Sequence, residues 1–141
     1  MGHPRFNHIA LTVSPELLDG DGRAEVLDFY GDVFGWTEVT QMTEPGKVLV
    51  LQAHRFDQFV FLVGGETPAQ VGARDHFGMS VDSPEALDAI LERAKARAAA
   101  DDRVTVIDKE VQDFGPVTLT SFYTGFRLPM MIEIQHFAFA S

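Results

Sequence analysis

The chain has 141 residues, 45% of them hydrophobic, no cysteine and a formal net charge of −10. This is enough apolar content for a sizeable core, which excludes a disordered chain, and the lack of cysteine excludes disulfides and thiolate metal sites. The acidic balance argues against nucleic acid or an anionic membrane as partner, because phosphate would be repelled. No apolar run approaches the about 20 residues that span a bilayer, and the start lacks the basic end and apolar run of a secretory signal, so the expectation is a cytoplasmic protein with a small-molecule partner.

Phe6 to Val13 alternates as a strand, with His8, Ala10 and Thr12 on one face and Ile9, Leu11 and Val13 on the other. Ser14 to Gly22 reads as a loop, and a helix follows. Val26, Leu27, Phe29, Tyr30, Val33 and Phe34 fall at helical spacing, with Gly35 placed to stop the helix. Strands are predicted at Trp36 to Gln41, Lys47 to Ala53 and Gln58 to Val63, which makes a βαβββ module over about 6–63. The breaker-rich stretch 64–73 is the linker.

A second module, about 74–137, repeats the first. Asp75-His76-Phe77-Gly78-Met79-Ser80-Val81 copies the opening strand, and Ser83-Pro84-Glu85 copies Ser14-Pro15-Glu16 with Asp82 as a single insertion. Ser83 is a helix N-cap, Pro84 takes the first helical position, and Ala86, Leu87, Ile90, Leu91 and Ala94 form the buried stripe. Strands are predicted at Val104 to Ile107, Val117 to Tyr123 and Met130 to Phe137, with a loop over Asp108 to Pro116.

In the last strand a carboxylate, Glu133, stands between Ile132 and Ile134. Superposing the modules matches it with Phe61, so the first copy offers an apolar side chain where the second offers an acid. His8, His76 and Glu133 then form a set of two imidazoles and one carboxylate, suited to a divalent ion such as Fe2+, Mn2+, Zn2+, Ni2+ or Co2+ with positions left open for substrate. His54 reads as a turn residue, His3 as part of the terminus and His136 as lying on the other face of its strand.

With these residues in place, the chain resembles the vicinal oxygen chelate superfamily, which includes glyoxalase I, fosfomycin resistance proteins, bleomycin-binding proteins, methylmalonyl-CoA epimerase and extradiol dioxygenases. The resemblance rests on Phe-Asn-His-Ile-Ala-Leu-Thr-Val, on Phe29-Tyr30-Gly31-Asp32-Val33-Phe34-Gly35-Trp36, on Asp-His-Phe-Gly-Met-Ser-Val and on Met-Ile-Glu-Ile-Gln. It implies an α+β fold in which tandem βαβββ modules make one domain, with a curved, largely antiparallel sheet around a metal pocket. It also implies that His8, His76 and Glu133 occupy three of four ligand positions, with Phe61 at the fourth, and that the protein is a homodimer. Tyr123 falls where extradiol dioxygenases carry a tyrosine near the substrate, although their acid–base histidine has no counterpart and Phe126-Arg127-Leu128-Pro129 replaces the family's Asp-Pro-x-Gly turn. The implied function is a metal-dependent lyase, isomerase or dioxygenase acting on a small, partly apolar substrate. The alternative is a metal-free antibiotic- or drug-binding protein of the same fold.

Overall fold

The computed structural model describes residues 2–140. The chain divides into two compact units, Met1–Gln70 and Val71–Ser141, and the boundary falls inside the stretch 64–73. Each unit is a βαβββ module with its own four-stranded sheet, so the architecture is the expected α+β class.

In the first unit β1 (His8–Val13) leads through a 3-10 turn (Pro15–Leu18) into α1 (Gly20–Phe34), followed by β2 (Thr37–Glu38), β3 (Val48–Gln52) and β4 (Phe59–Gly64). The strand order is β1-β4-β3-β2, parallel between β1 and β4 and antiparallel elsewhere. Leu11 and Val13 of β1 are buried together with Leu49, Leu51, Val60 and Leu62 of the sheet and Val26, Phe29, Tyr30 and Val33 of α1, while His8 and Ala10 are exposed. That is the alternation the sequence pattern requires. Tyr30 stacks on Trp36 at 5.1 Å between ring centroids, which fixes the exit from the helix. Gly35, in the left-handed region at φ 73°, ends α1 by giving its N–H to the carbonyls of Tyr30 and Gly31.

Two expectations for this unit need correction. The helix begins at Gly20, inside the presumed loop, because Asp19 caps it by accepting from the Gly20 N–H. Gly22 serves close approach rather than a turn, since a Cβ there would lie 2.0 Å from the Glu16 carbonyl oxygen. The strand expected over Trp36 to Gln41 shrinks to Thr37–Glu38, because the chain beyond it turns through Thr40 to Thr43, where the Met42 N–H bonds the Val39 carbonyl.

The second unit comprises β5 (His76–Ser80), α2 (Pro84–Ala100), β6 (Val104–Asp113), β7 (Val117–Phe126) and β8 (Met131–Phe139), in the order β5-β8-β7-β6. Only the β5–β8 pair is parallel. Ser83 caps α2 by accepting from the Ala86 N–H at 3.1 Å. The helix packs across β6, β7 and β8, and Leu87, Leu91 and Ala94 are buried along with Phe122, Ile132 and Ile134. Tyr123 and Glu133 lie on the opposite face of the sheet by strand alternation.

The loop expected over Asp108 to Pro116 is mostly strand, since β6 runs on to Asp113 and only 114–116 turns. Val111, Gln112 and Asp113 pair with Thr120, Leu119 and Thr118. The ladder is irregular between Ile107 and Glu110, and the two side chains in that gap reach back to the helix, Asp108 to Lys95 at 2.8 Å and Lys109 to Asp88 at 2.7 Å.

Candidate functional site

The register of the two parallel pairs puts the module superposition on a structural footing. In the first unit Ala10 is opposite Phe61, and in the second Gly78 is opposite Glu133. Each histidine is two residues before the alanine or glycine, so His8 corresponds to His76 and Phe61 to Glu133.

Both imidazoles are oriented through Nδ1. His76 Nδ1 lies 2.9 Å from the Arg74 carbonyl oxygen, and His8 Nδ1 lies 2.7 Å from Asn7 Oδ1. An oxygen of either kind can only accept, so Nδ1 carries the proton and the Nε2 lone pair is left unprotonated. His8 also stacks flat on Phe59, with ring centroids 4.7 Å apart and planes inclined by 7°.

His76 meets a denser polar group. Its Nε2 is 3.2 Å from Oε1 of Glu133, which is only 7% exposed, and Gln135 Nε2 donates to the same oxygen at 2.9 Å. Tyr123 pairs with Glu133 across β7 and β8 and presents its ring edge-on to His76, with centroids 5.0 Å apart. Burial, and then the charge and hydrogen bonding of Glu133, push the Tyr123 phenol above its ordinary value, so it stays protonated at neutral pH. His76 and Tyr123 open onto a cleft of about 320 Å³ lined also by Arg74, Asp75, Ile107 and Met131.

The structure therefore brings together three of the four singled-out residues, His76, Glu133 and Tyr123, and places His8 on the other unit. Among the described residues no group of three or more His, Cys, Asp or Glu side chains is gathered to hold a metal ion. The pair that is gathered fits one all the same. With the proton on Nδ1, the Nε2 lone pair of a neutral His76 faces an acceptor oxygen, an opposition relieved by a proton or by a cation held between them. The sequence reading missed Gln135 and Arg74. Gln135 was within reach of the strand alternation that exposed Glu133, since it is two residues further along the same face.

The fold, with its paired four-stranded units and the polar group on one of them, defines a class before it defines a family. The sequence profile of the Glyoxalase/Bleomycin resistance protein/Dioxygenase superfamily matches residues 5–124, and the chain belongs to that superfamily. Members commonly use a divalent metal. No curated protein matches the chain in sequence. Among solved structures, a glyoxalase/bleomycin resistance protein/dioxygenase from Alicyclobacillus acidocaldarius is similar at 18% identity with a TM-score of 0.66, covering 97% of this chain and 95% of its own. A lactoylglutathione lyase from Agrobacterium tumefaciens is similar at 18% identity and TM-score 0.65, covering 96% of each chain. The fosfomycin resistance protein FosX from Listeria monocytogenes is similar at 16% identity and TM-score 0.61, covering 96% of this chain and 94% of its own. At such identities the likeness is one of fold. No described helix is long and apolar enough to cross a membrane.

Proposed function

We propose that the protein is a metal-dependent enzyme acting on a small, partly apolar substrate that presents two oxygens to a divalent ion, with His8, His76 and Glu133 as ligands. The observation that carries this reading is the buried Glu133 oxygen opposed to the Nε2 of an imidazole whose Nδ1 is already committed to a carbonyl. When bound, the ion supplies Lewis acidity, stabilising an enolate or alkoxide as it forms.

The chain's own side chains do the rest. The Arg74 carbonyl and the Gln135 amide hold His76 and Glu133 in place, so little reorganisation accompanies binding. Tyr123 keeps its proton and serves as hydrogen-bond donor or acid toward an oxygen gaining negative charge. Ile107 and Met131 give the cleft apolar wall. Phe61, at the position matching Glu133, leaves a coordination place open. The known lactoylglutathione lyase and fosfomycin resistance folds support this class of chemistry without choosing between isomerisation, addition and oxygenation.

His8 comes from the same chain or from a second copy in a homodimer. Mixing His8→Ala with Glu133→Ala protein tells these apart, because shared sites restore one intact ligand set per exchanged dimer and unshared sites restore none. The main test is metal stoichiometry with melting temperature, for wild type, His8→Ala, His76→Ala and Glu133→Ala, with and without manganese or ferrous ion. Wild type should bind the ion and melt higher with it, and each variant should lose both effects while remaining folded. If wild type shows no metal-dependent rise and behaves like the variants, the protein is a binder of the same fold rather than a metalloenzyme.

A further inference from the structure

The cleft beside His76 carries a cation that has no partner among the described residues. The protein has 21 acidic side chains against 11 basic ones, so a basic side chain has many possible partners. Exposed Arg5, Lys47, Lys95, Arg103 and Lys109 each hold a carboxylate. Among the described residues the Arg74 guanidinium makes no hydrogen bond or ion pair, yet it lines the cleft with His76, Tyr123 and Met131, and its charge reaches the Tyr123 phenol. Its nearest acidic neighbour in sequence, Asp75, is committed elsewhere, since its carboxylate accepts from the Gly72 N–H at 2.8 Å.

We propose that Arg74 is the receptor for an anionic oxygen group of the substrate, a carboxylate or a phosphate, at the rim of the His76–Tyr123 cleft. The proposal rests on the reading of that cleft as the substrate site. A guanidinium presents paired N–H donors that match either oxyanion, and one that is not already neutralised keeps its full charge for the ligand. The same residue touches the chemistry twice, because its carbonyl fixes the His76 ring while its side chain is free to engage substrate. Anchoring an anionic end at Arg74 therefore locates the remainder of a short molecule against Tyr123, between the apolar side chains of Ile107 and Met131. In a chain of net charge −10, a guanidinium with no carboxylate partner among the described residues also marks where an anion can approach.

The test titrates the metal-free full chain separately with acetate and with inorganic phosphate, following by NMR the backbone amide resonances of Ala73 to Phe77, which wild type and every variant retain. Wild type should saturate with at least one of the two, and the anion that binds tighter names the group. Arg74→Gln should weaken that binding about tenfold or more, with Arg74→Lys intermediate. Failure of both anions to saturate wild type, or unchanged binding by Arg74→Gln, overturns the proposal. Manganese affinity of wild type and Arg74→Gln, measured in parallel, should be equal. Anion binding that persists in His76→Ala supports the Arg74 subsite even where manganese does not bind wild type and the metal reading has failed.

Discussion

The two units build the same frame and furnish it differently. At matching places the first unit has Ala10, Phe61 and Val50 where the second has Gly78, Glu133 and Tyr123. His8 rests on the flat face of Phe59, whereas His76 is met by a buried carboxylate and the edge of a phenol. Strand pairing is set by backbone bonds and by the apolar face that each sheet buries, and both are common to the two units. The polar group of the second unit sits on the other face, where the pairing places no demand, so that face can differ without disturbing the frame.

The largest expected effect tests whether the frames are equal in strength. Phe122 and Phe29 are both fully buried, one in each unit. Truncating either to alanine should cost about 3–5 kcal/mol. Hydrogen exchange should show the loss of protection concentrated in the unit that carries the substitution.

A smaller effect sharpens the chemical difference. Tyr123→Phe removes the donor that the first unit lacks at Val50, and turnover should fall about a hundredfold, while manganese affinity stays within a few-fold of wild type. A steady-state assay paired with a manganese titration separates these outcomes. Equal losses in both would make Tyr123 part of the metal cradle instead.

The helix starts differ as well. Ser83 reaches the N–H three residues on, whereas Asp19 bonds only the adjoining Gly20. Ser83→Ala should therefore cost about 1 kcal/mol and Asp19→Ala less, as read by urea denaturation.

The smallest effect concerns the end of α2. Arg103 donates to Asp101, which holds that carboxyl down at about 2 from its ordinary 3.8. A carboxyl lowered by folding adds stability above its ordinary value, and this stability is lost as pH falls through about 2. Arg103→Ala should lower the melting temperature slightly at pH 7 and flatten the profile between about pH 4 and pH 2, so that wild type and variant converge at the acid end. The pair is exposed, so the change should be slight.

Much of this frame was legible in the sequence because repetition reveals register. The two histidine strands, the helix stripes and the match of Glu133 with Phe61 all follow from side-chain alternation that a buried face enforces. What escaped notice has physical causes. The outer half of β6, Asp-Lys-Glu-Val-Gln-Asp, reads as a loop because an edge strand facing solvent carries charge and lacks the apolar alternation. The start of α1 was hidden by Gly20 and Gly22, which look like breakers until the Glu16 carbonyl is seen to lie where a Cβ would go. Of the site, alternation could expose the acid, and Gln135 on the same face, but not what they meet on the neighbouring strands. The contact of His76 with Glu133, and the unpaired state of Arg74, depend on where side chains come to rest.

In each unit the strand synthesised last is laid into the interior of its sheet, β4 between β1 and β3 and β8 between β5 and β7. On the ribosome the β6–β7 hairpin can form as soon as it emerges, but β5 has no neighbour until β8 arrives to fill the gap. His76 and Glu133 thus meet only in the closing step of that unit, when the last strand is laid in beside the first.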